Sequence, residues 1–226
     1  MVLMAEDEER IKAMIMRLEG YLRRKRLEVN VNKTKIIVFK KGGGRRKKIS
    51  WRWEGKEIEE VKEIRYLGYI FQKNGRQDGH IRERIKKAMG ILGQIWGIGK
   101  RKFGKDLGRR IWLFDTLVWT VLGYGAEVWG WREREKVEGV EEQFLRWMVG
   151  ADWRTPGYLI REELKRDKLR GRAARRAWNF EKKLEEGKGG EIARECLEEI
   201  KKRLEKNKKK SEWEEEREKF YRERED

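Results

Sequence analysis

This chain has 226 residues, and the first of them that could do chemistry are asparagines and lysines near a glycine-rich run. Asn30, Lys33, Thr34 and Lys35 come directly before the apolar stretch 36–39, and a loop of glycine and positive charge follows. Two interpretations are open. The stretch is either a solvated edge strand, or its lysines are directed at phosphate groups.

Three groups of Lys and Arg with few acidic neighbours favour a polyanionic partner, although one such group alone is usually a solvated face. The chain has 59 Lys and Arg against 41 Asp and Glu, a formal net charge of +18. Nucleic acid is therefore the first partner to consider, and its binding should depend on salt and little on base sequence. The groups are Lys40, Lys41, Arg45, Arg46, Lys47 and Lys48; Lys100, Arg101, Lys102, Lys105, Arg109 and Arg110; and Arg161, Lys165, Arg166, Lys168, Arg170, Arg172, Arg175 and Arg176.

The nucleophile and base candidates are few. Histidine-dependent catalysis would have to use His80, the only histidine, whose polar surroundings favour a surface or helix-capping role. Cys196, the only cysteine, lies on a predicted apolar helix face, so we interpret it as a small buried hydrophobe. One Cys and one His exclude an internal disulfide and a zinc finger built from this chain alone.

Two further motifs have simple structural interpretations. Asp7, Glu8 and Glu9 could bind magnesium, but they stand in the first turn of a predicted helix, where capping is favoured. Gly42 to Gly44 lack the spacing of a phosphate-binding loop. No apolar run approaches the length of a membrane span, and no membrane partner is expected. From net charge alone, acidic substrates and anionic membrane surfaces stay open as alternatives.

The tryptophans divide between two uses. Trp51 and Trp53 alternate on one face of a predicted strand and could stack on bases, but packing under a helix is favoured. Trp112 and Trp119 flank an apolar helical stripe, and we interpret both as core residues.

The apolar periodicity changes near residue 79. A helix over about residues 5–27 and short strands within 29–40, 49–53 and 66–71 are predicted first; helical spacing dominates from His80 onward. We predict an α+β fold. Residues 1–79 form a helix with a few antiparallel strands, 80–186 form an all-α region, and 187–226 form a charged tail, either an exposed helix or poorly ordered.

Four phrases, in this order, resemble the C-terminal part of a reverse transcriptase from a non-LTR (LINE-type) retrotransposon. Residues 1–5 resemble those directly after that family's aspartate pair, and 27–35 resemble its lysine-bearing fourth palm motif. Residues 66–68, Tyr-Leu-Gly, resemble the primer-grip strand, and 124–129 resemble a phrase common in the thumb. The resemblance extends to about residue 185, so that residues 1–79 correspond to a partial palm and 80–186 to a thumb.

The resemblance implies roles for individual residues. Lys33 would lie near the phosphates of the incoming nucleotide and stabilise or protonate the leaving pyrophosphate, in a turn shaped by Asn30 and Thr34. The helices after His80 would lie along a hybrid of RNA template and DNA primer. Tyr66, Leu67 and Gly68 would hold the primer end. The other residues expected to contact nucleic acid are Asn30, Lys35, the whole first cationic group, and Lys100, Arg101, Lys102, Arg109 and Arg110 of the second.

The resemblance also implies what this chain would lack. Nucleotidyl transfer in that family uses two magnesium ions held by aspartates on separate strands, and no carboxylate here matches those positions. We therefore expect a fragment that binds template–primer without polymerising DNA and holds no cofactor by itself. A palm sheet without its central strands would expose an edge through which the chain could self-associate.

Two other functions stay open. One is an enzyme assembled with a separately encoded palm, and the other is a host-adopted basic helical protein acting as a scaffold or chromatin binder. The basic runs fit nuclear import, which favours an intracellular, nuclear location.

Overall fold

A computed structural model describes residues 1–39, 49–205 and 210–225, without the side chains of 204, 205, 224 and 225. The chain divides into two compact units, Met1–Gly79 and His80–Asp226. Helices account for 62% of it and the strands form small sheets, so the predicted α+β class with a helical C-terminal region is confirmed.

Unit 1 consists of one long helix and very short strands. Its elements are α1 (Glu8–Arg24), a 3₁₀ turn (Val31–Lys33), β1 (Lys35–Ile36), β2 (Arg52–Trp53), β3 (Lys56–Glu57), β4 (Glu59–Glu60), β5 (Glu63–Tyr66) and β6 (Tyr69–Gln72). The pairs β2–β3 and β5–β6 are antiparallel, whereas β1 pairs with β4 in parallel. The two antiparallel pairs agree with the predicted antiparallel strands, whereas the parallel pairing of β1 with β4 was not predicted.

Helix α1 begins at an acidic cap. The Asp7 carboxylate accepts a hydrogen bond from the Arg10 backbone amide at 2.7 Å, and Glu8 and Glu9 occupy the first turn. Negative charge there offsets the partial positive charge of the helix N-terminus. The capping interpretation of these three carboxylates is confirmed.

The buried face of α1 packs on two tryptophans. Trp51 and Trp53 are buried with Ile15 and Ile58, and Ile11 of α1 packs against this cluster. The Trp51 indole N–H donates to the Glu60 carboxylate at 3.2 Å, which satisfies its one polar group. The prediction that these indoles pack under a helix is confirmed, and they are not accessible for stacking on bases.

Every described element of unit 2 is a helix. The elements are α2 (Asp78–Phe103, whose first two residues belong to unit 1), α3 (Leu107–Leu113), a π-helical segment (Phe114–Val118), α4 (Trp119–Leu122), α5 (Ala126–Trp129), α6 (Glu135–Val149), α7 (Gly157–Glu163), α8 (Leu169–Glu185), α9 (Glu191–Glu205) and α10 (Glu212–Glu225). A continuous core of buried apolar side chains runs from α2 to the start of α8.

Helices α5 and α8 approach closely at Gly130. A Cβ atom at Gly130 would lie 2.3 Å from the Ala173 carbonyl oxygen, so no larger residue fits without moving one backbone. This contact holds the turn after α5 against the middle of α8, where the fully buried Ala177 also lies.

The C-terminal helix α10 is a packed element. Phe220 is only 3% exposed and meets the Trp131 ring edge-on with 5.3 Å between centroids, and the Trp213 indole N–H donates to the Val128 carbonyl at 2.8 Å. The prediction of an exposed or poorly ordered tail is therefore wrong for α10. The reason lies in the spacing of Trp213 and Phe220, seven residues or two helical turns apart, which places both on one face.

Two side chains predicted to be buried are exposed. Cys196 is exposed and its neighbour Leu197 is buried instead, because α9 packs through a face one residue further along. Trp112 is 60% exposed, on the side of α3 opposite the fully buried Phe114. Both interpretations as core residues are wrong.

Candidate nucleic-acid interface

An exposed group of cations lies where α2 ends and α3 begins. Lys100, Arg101 and Lys102 form the last turn of α2, and Lys105 and Arg109 follow in the connection and in α3. All five side chains are exposed. We call these five residues the α2–α3 cations.

Local structure presents the α2–α3 cations on one short turn. The cations of the last turn of α2 complement the partial negative charge at that helix end. Gly104 takes a positive φ of 51°, which reverses the chain, and the Asp106 carboxylate caps α3 by accepting from the Arg109 amide at 3.0 Å. The Arg109 guanidinium lies 5.9 Å from the centre of the Phe103 ring, so it folds back toward the end of α2.

Within the described residues, most of these charges have no internal counter-ion. In the part of the chain that the structure describes, Lys100, Arg101, Lys102 and Lys105 form no ion pair. Arg109 pairs with Asp106 at 3.3 Å, an exposed contact of small energetic value. The positive field of this turn is therefore directed at solvent.

Arg110 does not belong to this surface. It is 7% exposed, donates to the Met148 carbonyl at 3.3 Å, and places its guanidinium 4.7 Å from the centre of the Trp96 ring. Burial lowers the pKa of the Arg110 guanidinium below its ordinary value. Arg110, which was predicted to contact nucleic acid, is therefore buried, because one residue beyond Arg109 a helix turns its side chain toward the core.

Most residues of the third cationic group form internal ion pairs. Arg161 contacts Glu138 at 2.8 Å and also Glu141, and Arg166 contacts Glu141 and Asp115, each at 2.7 Å. The remaining pairs are Arg172 with Asp115, Arg176 with Glu127, Lys168 with Glu133, and Arg170 with Glu133 and Glu223. Most of the positive charge of this group is therefore neutralised within unit 2.

Burial and contacts within this network of ion pairs shift the pKa values of Asp115 and Glu138. Burial acts to raise the pKa of the Asp115 carboxyl, but hydrogen bonds from Arg172 and Arg166 outweigh it and hold that pKa below its ordinary value. For Glu138 burial dominates and raises the pKa, although the Arg170 and Leu169 backbone amides donate to its carboxylate. Asp115 therefore stays ionised between its two arginines at neutral pH.

A cleft of about 640 Å³ opens at the start of α8. Two of its cations, Lys165 and Arg175, are exposed and form no ion pair within the described residues. The carboxylates of Asp167 and Glu223 also line it. We call this cleft the α8 cleft. The cations that line it are Lys165, Arg166, Lys168, Arg170, Arg172 and Arg175.

In unit 1, Lys33 stands on a capped turn. The Asn30 side-chain oxygen accepts from the Lys33 amide at 3.1 Å, and the Thr34 hydroxyl donates to the Asn30 carbonyl at 3.0 Å. The Lys33 side chain is exposed and forms no ion pair among the residues described. Lys35, in contrast, contacts the Glu59 carboxylate across the parallel pair at 2.5 Å.

The Tyr-Leu-Gly phrase forms a hairpin turn. Leu67 and Gly68 have φ values of 46° and 78° and join β5 to β6, with Tyr66 opposite Tyr69. Two successive positive φ angles match the right-handed twist of the flanking strands. The prediction of a continuous strand over 66–71 is therefore wrong, and Leu67 is exposed at the tip of the hairpin. The predicted group from Lys40 to Lys48 lies outside the described residues.

The single histidine is a structural residue of unit 2. His80 is fully buried, and its Nε2–H donates to the Tyr124 carbonyl at 2.9 Å. The prediction of a surface or capping histidine is wrong, because Tyr124, 44 residues away, covers the ring. Burial lowers the pKa of His80; the Tyr124 hydrogen bond and Glu83 oppose this effect, and the charges of Arg84 and Lys87 add to it.

We expect His80 to make stability depend on pH. Because its pKa is depressed in the folded state, the unfolded chain binds the proton more readily below about pH 6.5, so stability is lost as the pH falls from there. Urea unfolding of the wild type and His80→Gln between about pH 7.5 and 5.5 measures this loss. Equal pH dependence in the two proteins would contradict it.

Neither a metal site nor a membrane span is present within residues 1–39, 49–205 and 210–225. No group of three or more His, Cys, Asp or Glu side chains there could hold a metal ion. No helix in that part of the chain is both long and apolar enough to cross a bilayer. Comparisons with protein-family models, with curated proteins and with solved structures found no match.

Proposed function

We propose that the chain binds nucleic acid through the sugar–phosphate backbone, with the α2–α3 cations as the principal contact. One observation carries the proposal. Unit 2 pairs most arginines of its third cationic group with carboxylates, yet Lys100, Arg101, Lys102 and Lys105 on one turn are exposed and form no ion pair with any residue that the structure describes.

Electrostatics favours this surface over the others. Like charges on one turn repel each other, and a polyanion relieves that repulsion while releasing its own condensed counterions. Paired arginines gain little from a phosphate, because they would first have to give up a carboxylate. Lys165 and Arg175 in the α8 cleft add two cations to the same unit that form no ion pair within the described part of the chain.

The resemblance to LINE-type reverse transcriptases supports a hybrid of RNA and DNA as the duplex that is bound. In that interpretation unit 2 lies along the hybrid as a thumb does, and Lys33 of unit 1 faces a phosphate. We assign backbone binding alone to these residues, since nucleotidyl transfer in that family also needs two metal ions held by aspartates on separate strands.

A salt titration of the full chain tests the proposal. Fluorescence anisotropy with a labelled RNA–DNA hybrid should show that affinity falls about 10³-fold between about 50 and 200 mM salt, as for roughly six phosphate contacts. Unrelated hybrid sequences of equal length should bind alike, because backbone contacts carry no base information. Undetectable binding, or affinity that is unchanged by salt, would reject it.

A further inference from the structure

Trp112 is exposed on α3, one helical turn after Arg109 of the α2–α3 cations. Its side chain is 60% exposed although an indole is a large apolar group. Arg109, three residues earlier, and Thr116, four residues later, are exposed on the same helical face. The ring therefore stands beside the α2–α3 cations.

Beyond Trp112 in the chain, Asp115 contacts two arginines of the α8 cleft. Asp115 follows Trp112 by three residues and holds both Arg166 at 2.7 Å and Arg172 at 2.6 Å. These two arginines line the cleft, in which Lys165 is unpaired within the described residues. One stretch of chain, from Arg109 to Asp115, thus connects the two cationic regions with an exposed indole between them.

We propose that Trp112 stacks on an unpaired base, while the α2–α3 cations hold the phosphates on one side of it and Lys165 and Arg175 of the α8 cleft hold those on the other. The inference rests on the proposed function and adds a preference for nucleic acid with a single-stranded segment. Every base offers a flat π face, so stacking needs no particular sequence, but bases inside a duplex already stack on each other. An overhang next to a duplex is therefore the preferred ligand.

Trp153 offers a matched control for Trp112. It is 76% exposed, more than Trp112, and it also belongs to unit 2. One face of its ring is already occupied, since the Arg154 guanidinium lies 5.3 Å from the ring centre. Asp152 precedes it, and Arg154 is the only Lys or Arg within six residues of it on either side. If exposure alone determined how much an alanine substitution weakens binding, the loss of affinity would be larger at Trp153. If stacking beside the exposed cations determines it, the loss is larger at Trp112.

The experiment compares Trp112→Ala and Trp153→Ala on two ligands with equal numbers of phosphates, a blunt duplex and a shorter duplex with a single-stranded overhang. Trp112→Ala should weaken binding of the overhang ligand about 10-fold and leave blunt-duplex binding and the salt dependence unchanged. Trp112→Phe should keep most of the affinity. An overhang of abasic residues should abolish the difference between wild type and Trp112→Ala.

Three outcomes would overturn the inference. One is an equal loss on both ligands, and another is an equal loss from Trp112→Ala and Trp153→Ala. The third is a Trp112→Ala effect that persists on the abasic overhang. In each of these the wild type still binds in a salt-dependent manner, so the proposed function stands. A wild type that binds neither ligand would instead reject the proposed function.

Discussion

Replacing Lys100, Arg101, Lys102 and Lys105 together by alanine is expected to flatten the salt dependence of duplex binding. Each lost phosphate contact removes about 0.9 from the slope of log affinity against log salt, roughly 3.6 for four contacts. Over a fourfold rise in salt the wild type should lose about 150-fold more affinity than the variant. All four side chains are exposed, so the thermal unfolding temperature should hardly change.

A second quadruple variant controls for net charge. Lys188, Lys201, Lys202 and Lys210 each pair with a carboxylate of unit 2, namely Glu186, Glu185, Glu198 and Glu218. Their replacement by alanine lowers the formal net charge from +18 to +14, the same change as in the first variant. Its slope should stay close to that of the wild type. Equal slopes for the two variants would show that bulk charge, and no particular surface, governs binding.

Glu141→Ala is expected to destabilise unit 2 by about 3 kcal/mol, the range for breaking a buried ion pair. Glu141 is completely buried, and its two carboxylate oxygens contact Arg161 and, at 2.7 Å, Arg166. Without it the buried guanidinium group of Arg161 and the partly buried one of Arg166 each lose a counter-ion. Urea unfolding followed by circular dichroism measures the change.

Glu142→Ala is the matched comparison. Glu142 is the next residue of α6, is partly exposed, and contacts Arg146 at 3.4 Å and Arg161 at 3.8 Å. Its removal should cost less than about 1 kcal/mol, as for other solvent-screened pairs. If both substitutions cost the same, burial of the Arg161 network would not be what stabilises this part of the fold.

Local patterns were sufficient to predict the class of fold and several of its details. Apolar spacing predicted an N-terminal helix near α1 and a helical C-terminal region, and Asp7 was identified as a capping residue, because each of these depends on residues a few positions apart. The two-residue turn at Leu67 and Gly68 was missed, since a leucine at positive φ is uncommon and the phrase has strong strand propensity.

Local sequence patterns could not distinguish the exposed cations from those that form internal ion pairs. Arg166 and Asp115 are 51 positions apart, and only the packing of α3 and its π-helical extension near the start of α8 brings them together. Sequence proximity grouped Arg110 with Arg109, although one is buried and the other exposed. Trp112 was misassigned for a related reason, as it adjoins the apolar stripe without lying on it.

Acetylation of lysines, read by mass spectrometry with and without a bound RNA–DNA hybrid, tests most directly which surface makes contact. Lys100, Lys102, Lys105 and Lys165 are expected to lose reactivity in the complex, while Lys188 and Lys201 keep theirs. The same spectra test the predicted contacts of Lys33 and of the group from Lys40 to Lys48. Unchanged reactivity at Lys100, Lys102 and Lys105 in a saturated complex would contradict the assignment of nucleic-acid binding to this turn.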